Sequence, residues 1–147
     1  MVGTDQFSDE FAIAASGGEV RRAAEWLVAN CRQHDVPQAQ MDRLELCLHE
    51  ALANVITHGG ENAAAAPIRM RLEVTRDPQC SACVTVIDAG EAFDPSSVPE
   101  RISPATLAET EPGGLGLVMI RRFSDRLDYR HEDGYNHLTF GVRWSAS

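Results

Sequence analysis

The fold of this chain is decided by the stretch Leu48-His49-Glu50-Ala51-Leu52-Ala53-Asn54-Val55-Ile56-Thr57-His58-Gly59. Its apolar residues recur every three or four positions and extend a stripe that begins upstream, with Met41, Leu44, Leu48, Leu52 and Val55. This spacing predicts a helix that buries one face. A second stripe is polar and recurs every four positions, with Glu50, Asn54 and His58. We therefore expect a long central helix with a core-facing side and a polar side.

The polar stripe contains a carboxylate and an amide one helical turn apart, Glu50 and Asn54. A carboxylate can take a proton from an attacking nucleophile. An amide oxygen can hold a hard cation such as Mg²⁺, which prefers oxygen ligands and keeps several waters. A solvated helix face would carry the same pair, so the interpretation depends on signals elsewhere in the chain.

Length and composition restrict the class of protein. A chain of 147 residues, 44% hydrophobic and 24% charged, predicts one globular domain over residues 1–147. It has no apolar run of about 18 residues, so no membrane span is expected. Its first residues lack the pattern of a secretion signal, which favours a cytoplasmic protein. The net charge of −9 argues against direct nucleic-acid binding, because phosphates require a basic face.

The basic residues exclude two common nucleotide-binding designs. All thirteen are arginine, and the chain has no lysine. A Walker A loop and the common protein-kinase fold each place a lysine on the phosphates. A nucleotide bound here must therefore be held by backbone amides, Mg²⁺ or arginine.

The four cysteines include one C-x-x-C motif, Cys80-Ser81-Ala82-Cys83. This motif can indicate a zinc site or a redox pair. No second C-x-x-C or C-x-x-H accompanies it, so reduced structural thiols are the favoured interpretation over a metal site.

The remaining pattern predicts alternating helices and strands in an α+β chain. Ser16 resembles a helix N-cap, with Glu19 completing a capping box. The alternation in Ile68–Arg76 indicates a strand with one buried face. The predicted elements are a strand at Asp9–Ala15, a helix to about His34, the central helix Gln38–His58, a loop at Glu61–Pro67, strands at Ile68–Arg76 and Ala82–Ile87, a helix ending near Phe123, and strands at Asp125–Arg130 and His137–Trp144.

Two further motifs follow strands or precede helices. Asp88-Ala89-Gly90 ends a predicted strand, where a carboxylate can accept a hydrogen bond from an exocyclic amine such as that of adenine, or can form an ordinary turn. Gly113-Gly114-Leu115-Gly116-Leu117 precedes an apolar helix, whose N-terminus can hold an anion. The aperiodic, proline-containing segment at about 94–113 lies between them and fits a flexible lid.

These three motifs, in this order, resemble the N, G1 and G2 boxes of the GHKL ATPase superfamily. The matching residues are Glu50 to Gly59, Asp88-Ala89-Gly90 with Phe93-Asp94-Pro95, and Gly114-Leu115-Gly116-Leu117. Within the superfamily, the chain is most similar to the anti-sigma-factor serine kinases of the RsbW and SpoIIAB kind. The resemblance implies the Bergerat fold, a two-layer α/β sandwich with a mostly antiparallel sheet and helices on one face.

The resemblance also implies roles for individual residues. Glu50 looks like the general base for a substrate serine, and Asn54 like the Mg²⁺ ligand. Asp88 would bind the adenine amine, and Gly90 would let the base approach. The other implied nucleotide-binding residues are His58, Phe93, Gly113, Gly114, Leu115, Gly116, Leu117 and Thr139. Thr139 stands where the family often has a Gly-Thr pair, and Pro112 stands where some members have a basic residue.

Three functions compete at this point. The resemblance implies a serine kinase that uses ATP and Mg²⁺, phosphorylates a STAS-type anti-anti-sigma protein, and sequesters a sigma factor or another regulator. Such a kinase is compatible with a homodimer. The alternatives are a non-catalytic, nucleotide-dependent adaptor on the same fold and the ATP-binding domain of a histidine kinase. A phosphoserine on a STAS partner separates the kinase from the adaptor.

Overall fold

The computed structural model describes residues 6–90 and 114–146, with the backbone alone for 114–116. Within these ranges the chain forms one five-stranded antiparallel sheet, in the order β1-β2-β3-β5-β4. The strands are β1 (Gln6–Ile13), β2 (Ile68–Thr75), β3 (Cys80–Asp88), β4 (Arg126–Glu132) and β5 (Tyr135–Trp144). The helices are α1 (Val20–Gln33), α2 (Gln38–His58), α3 (Gly60–Ala64) and α4 (Gly114–Phe123). The predicted α+β, two-layer class is confirmed.

The central helix α2 lies where its apolar stripe predicted. The stripe is buried and forms the middle of the core, with Met41, Leu44, Leu48, Leu52 and Val55. It packs against β3 and β5 beneath it and against α1 and α4 at its sides. Burial of such apolar side chains is the main favourable term in the free energy of folding. Helix α2 therefore fixes the positions of its own polar residues relative to the sheet.

The alternation of apolar residues in β2 appears in the structure as predicted. Ile68, Met70, Leu72 and Val74 are buried on the helix side, while the residues between them are exposed or half-buried. Successive side chains of a strand point to opposite faces. The sheet thus has a helix-covered face and a second face that carries the intervening residues.

The predicted start of α1 was wrong. The side chain of Ser16 makes no capping hydrogen bond, and a short 3-10 helix, Gly17–Glu19, precedes α1. The carboxylate of Glu19 pairs instead with Arg22, at 2.7 Å. Glu19 therefore forms an ion pair with Arg22, three residues later, instead of the expected hydrogen bond to the backbone of Ser16.

The predicted loop at Glu61–Pro67 contains helix α3 instead. Alanine has the highest helix propensity, and this segment is rich in it. The side chain of Ala63 is buried against the backbone at Gly59, which gives the short helix a tertiary contact. A composition that had been interpreted as a surface loop is therefore a helical turn with one buried residue.

Strand β1 also begins earlier than predicted, at Gln6. It pairs with β2 along its whole length, from Gln6 opposite Thr75 to Ile13 opposite Ile68. Phe7 and Phe11 point toward the helices, where their rings stack on His34 and Trp26. The aromatic pair at a spacing of four was the available signal for the longer strand.

The two cysteines of the C-x-x-C motif point to opposite faces of β3. Cys80 is on the helix side, and Cys83 is on the other face beside Gly141 and Arg126. A spacing of three on a strand has this result because side chains alternate. In the ranges 6–90 and 114–146 we find no group of three or more His, Cys, Asp or Glu side chains that could hold a metal ion.

No helix in the described ranges is both long enough and apolar enough to span a bilayer.

The buried thiols give a testable prediction. Burial raises the pKa of Cys31 to about 12, from 9.0 for an unperturbed thiol. Burial is also the largest cause of the rise in the pKa of Cys47, again from 9.0 to about 12. The thiolate fraction at pH 8 is therefore about a thousandfold lower in the folded protein. We expect iodoacetamide to alkylate both residues at least about a hundredfold more slowly in native protein than in urea-unfolded protein, measured by mass spectrometry. Half-buried Cys83 is the internal comparison, and equal native and unfolded rates at Cys47 would contradict the prediction.

Candidate functional site

The polar stripe of α2 is beside helix α4. Glu50 and Asn54 are half-buried and His58 is exposed at the helix end. One turn before Glu50, the Cys47 thiol contacts the Ile120 carbonyl of α4 at 3.8 Å. Burial is the main cause that raises the pKa of Cys47, Arg43 opposes this shift, and the charge of Glu50 adds to it. The stripe thus runs along the flank where α2 meets α4.

The side chains of Glu50 and Asn54 make no hydrogen bond within the part of the chain that the structure describes. Their oxygens are therefore available to a ligand, because no other described residue occupies them. One amide oxygen on a helix flank fits Mg²⁺, which commonly takes only one or two protein ligands beside phosphate oxygens and water. The described residues at this position are compatible with a bound magnesium–nucleotide.

Asp88 is buried at the end of β3, with 4% of its surface exposed. Its Oδ1 accepts hydrogen bonds from the backbone N–H of Gly90, at 2.8 Å, and from Nδ2 of Asn136, at 3.1 Å. A buried carboxylate requires such partners to offset the loss of water. None of the hydrogen bonds donated by the described residues goes to Oδ2. One oxygen is thus held by the protein, and the other can accept from a ligand.

The turn after β3 packs against the end of α2. A Cβ atom added at Gly90 would be 2.8 Å from the Asp88 Oδ1 and 3.0 Å from the Gly59 carbonyl oxygen. A Cβ at Gly59 would be 2.5 Å from the Ala63 Cβ and from the Val55 carbonyl oxygen. Both positions therefore require glycine for close approach within the chain. The missing side chain of Gly90 makes room for the end of α2, and the approach of a base at Gly90 stays a prediction.

Helix α4 begins at Gly114, within the glycine-rich motif. The first N–H groups of a helix have no intrahelical acceptor, so this end can bind an anion. Val118 and Ile120 are buried and Leu117 nearly so, which seats the helix against α2. The motif therefore presents the start of α4 on the same side of the sheet as the polar stripe.

An arginine that the sequence analysis did not identify fixes the other end of α4. Arg43 of α2 donates from Nε to the Phe123 carbonyl oxygen, at 2.9 Å, and from Nη2 to Asp125, at 3.2 Å. Burial disfavours the charged form of Asp125, but hydrogen bonds from the Arg143 N–H and Arg43 outweigh it and lower the pKa. These acceptors follow Arg43 by 80 and 82 residues in the sequence, so no local pattern indicates the contacts.

Thr139 is not beside Asp88. Its hydroxyl bonds that of Thr85 at 2.8 Å, on the sheet face away from the helices, since its neighbours Leu138 and Phe140 point into the core. The β5 residue opposite Asp88 is Asn136. Among the other predicted residues, Phe93, Gly113 and the proposed lid at about 94–113 lie outside the described residues.

Residues 13–142 match the Histidine kinase-like ATPase domain family. The chain belongs to this family. The chain is 35% identical over 96 residues to the serine/threonine-protein kinase BtrW of Bordetella bronchiseptica. The aligned residues cover 65% of this chain and 66% of that protein. The chain is 24% identical over 132 residues to the anti-sigma F factor of Clostridium beijerinckii, which is 88% of this chain and 87% of that one. The likeness to RsbW- and SpoIIAB-type kinases is confirmed.

Two solved structures share the fold. The RsbU and RsbW domains of a Mycobacterium tuberculosis protein superpose with a TM-score of 0.65 at 15% identity, covering 92% of this chain and 32% of that chain. A chain of the SiaB–SiaC complex from Pseudomonas aeruginosa gives a TM-score of 0.62 at 16% identity, covering 91% and 88%.

The family match supports the predicted GHKL-type ATPase domain and implies the use of ATP. The relatives named as a serine/threonine-protein kinase and an anti-sigma factor agree with the predicted enzyme class, a protein serine/threonine kinase. The chain spans just under two thirds of the Bordetella relative and about a third of the mycobacterial chain.

The hydrogen bonds of Asp88 make a substitution to asparagine informative. In Asp88→Asn the amide oxygen stays toward its two donors, Gly90 N and Asn136 Nδ2, so the new amide nitrogen takes the place of Oδ2. That nitrogen is a donor and would oppose the adenine amine, which is also a donor. We expect ATP affinity to fall about ten- to a hundredfold with the fold intact, measured by calorimetry and thermal unfolding. GTP has a carbonyl at this position, so it should bind the parent protein poorly; equal ATP binding by the variant and the parent would make Asp88 a turn residue.

Proposed function

We propose that this chain is an ATP- and Mg²⁺-dependent serine kinase that phosphorylates a STAS-type anti-anti-sigma protein and sequesters a sigma factor or another regulator. The observation that carries the proposal is the contact between the Asp88-Ala89-Gly90 turn and the end of α2 at Gly59. This contact joins a carboxylate suited to adenine to the helix that carries Glu50 and Asn54. The partners follow from the family resemblance, and the relatives named as a serine/threonine kinase and an anti-sigma factor support them.

The length of α2 supports a nucleotide that binds along the helix, with its base at Asp88 and its phosphates near Asn54 and Glu50. At a rise of 1.5 Å per residue, Asn54 is about 7.5 Å and Glu50 about 13.5 Å along the helix from Gly59. A nucleotide with its base at Asp88 would extend along α2 and bring its phosphates past Asn54 toward Glu50. The N-terminus of α4 would supply N–H groups to these phosphates from the other side.

The proposed reaction requires few protein groups. The serine hydroxyl of the partner attacks the γ-phosphorus, Glu50 takes the hydroxyl proton, and ADP is the leaving group. Asn54 would hold Mg²⁺, which neutralises charge on the phosphates. Phosphoryl transfer depends mainly on positioning and charge stabilisation, so no covalent intermediate is needed. In this proposal the segment at about 94–113, with Phe93 and Gly113, closes over the nucleotide, and the protein acts in the cytoplasm, alone or as a homodimer.

The first test asks whether phosphate is transferred and whether Glu50 is the base. We expect the parent protein, incubated with ATP, Mg²⁺ and a STAS partner, to produce phosphoserine on the partner, detected by mass spectrometry. Glu50→Gln keeps the side-chain shape but not the basicity, so transfer should fall about a hundred- to ten-thousandfold with ATP binding retained. Glu45→Gln is the matched control, because Glu45 is on the same helix and pairs with His49. A stable complex without transfer would instead identify an adaptor, and undiminished transfer by Glu50→Gln would remove Glu50 from the mechanism.

The second test concerns the cation. Asn54→Ala removes the amide oxygen, so ATP affinity should fall about tenfold or more in Mg²⁺ and little in EDTA. Calorimetry under both conditions measures this difference. Thr57→Ala, an exposed change on the same helix, controls for altered helix propensity. Equal losses with and without Mg²⁺ would show that Asn54 has a structural role only.

A further inference from the structure

Asn136 is the most deeply buried polar side chain among the described residues, with 1% of its surface exposed. It is at the start of β5, directly opposite Asp88 of β3. Its Nδ2 donates to Asp88 Oδ1, at 3.1 Å, and to the Gly90 carbonyl oxygen, at 3.2 Å. A single amide group thus connects both ends of the Asp88-Ala89-Gly90 turn.

The orientation of this amide is fixed from a third strand. The hydroxyl of Tyr129, in β4, donates to the Asn136 Oδ1 at 2.6 Å. Asp88 Oδ1 and the Gly90 carbonyl oxygen are acceptors, so the amide nitrogen must face them, and the amide oxygen then faces the Tyr129 hydroxyl, which donates to it. A reversed amide would place two acceptors together at Asp88, which costs free energy in a buried site. Tyr129 therefore holds Asn136 in the orientation that the turn requires.

We propose that Asn136 is the positioning residue that sets the purine preference of the site. Its two hydrogen bonds hold Oδ1 of Asp88 and the backbone of Gly90 in place, so that Oδ2 is directed at the exocyclic amine of adenine. This inference rests on the proposed binding of ATP through Asp88. The sequence analysis did not identify Asn136; the β5 residue that it named for nucleotide binding, Thr139, has its side chain on the other face of the sheet.

The experiment compares ATP with purine riboside triphosphate, which lacks the exocyclic amine. Asn136→Leu has a similar branched shape but no donor, so Asp88 keeps only its bond from Gly90. We expect ATP affinity to fall at least about tenfold, with purine riboside triphosphate almost unaffected, so that the preference for ATP collapses. A residue that only stabilised the fold would weaken both nucleotides equally.

Two additional variants complete the design. Tyr129→Phe removes only the hydroxyl that bonds the amide oxygen, and we expect a loss of about threefold or more in the preference for ATP. This variant decides the matter if Asn136→Leu does not fold. Thr85→Val is the control, because it removes a buried hydrogen bond from the opposite face of β3. It should leave the preference unchanged.

The outcomes separate this inference from the proposed function. If the parent protein prefers ATP and a folded Asn136→Leu or Tyr129→Phe variant keeps the same preference, this inference is overturned and the proposed function is not. An equal loss of preference in Thr85→Val would also overturn it, because the effect would then come from the strand in general. A parent protein that binds neither nucleotide, or shows no preference for ATP, would overturn the assignment of Asp88 and this inference with it.

Discussion

The close approach of two backbone segments, at Gly59 and Gly90, is the constraint on which the candidate site depends. Helix α2 ends at the first and the turn after β3 at the second, and neither position has space for a Cβ atom. Because α2 is packed into the core along its apolar stripe, its end is fixed relative to the sheet. The sheet residue Asp88 and the helix residues Glu50 and Asn54 are therefore held in one frame, although they belong to different layers.

The parts of the fold that were predictable from sequence are those in which one pattern repeats. The apolar stripe of α2 and the alternation in β2 each involve at least four residues, and each repeat corresponds to a buried face. The position of Asp88 at the end of a strand was also predictable from the sequence, because a run of β-branched residues precedes it. Repeats of this kind identify helices, strands and their buried sides without any knowledge of the partners across the core.

The parts that were not predictable depend on residues distant in sequence. Arg43 binds acceptors at Phe123 and Asp125, and Asn136 meets Asp88 only because β3 and β5 are neighbours in this register. The choice of Thr139 on the basis of the family motif illustrates the difficulty. A strand position displaced by an odd number of residues points to the opposite face, and sequence alone does not fix the register. Helix α3 was missed for a related reason, since its one buried contact is tertiary.

The anchoring of α4 by Arg43 has a mechanical consequence. The hydrogen bonds from Arg43 hold the C-terminal end of the helix, at Phe123, while Gly114 is at the far end of a helix of 10 residues. Such a helix is about 15 Å long, so a tilt of about 5° around the anchored end displaces its first turn by about 1.3 Å. The fixed point of such a tilt is the contact of α4 with Arg43 of α2. Small rotations there change the distance between the first N–H groups and Asn54 while leaving the core contacts near the pivot almost unchanged.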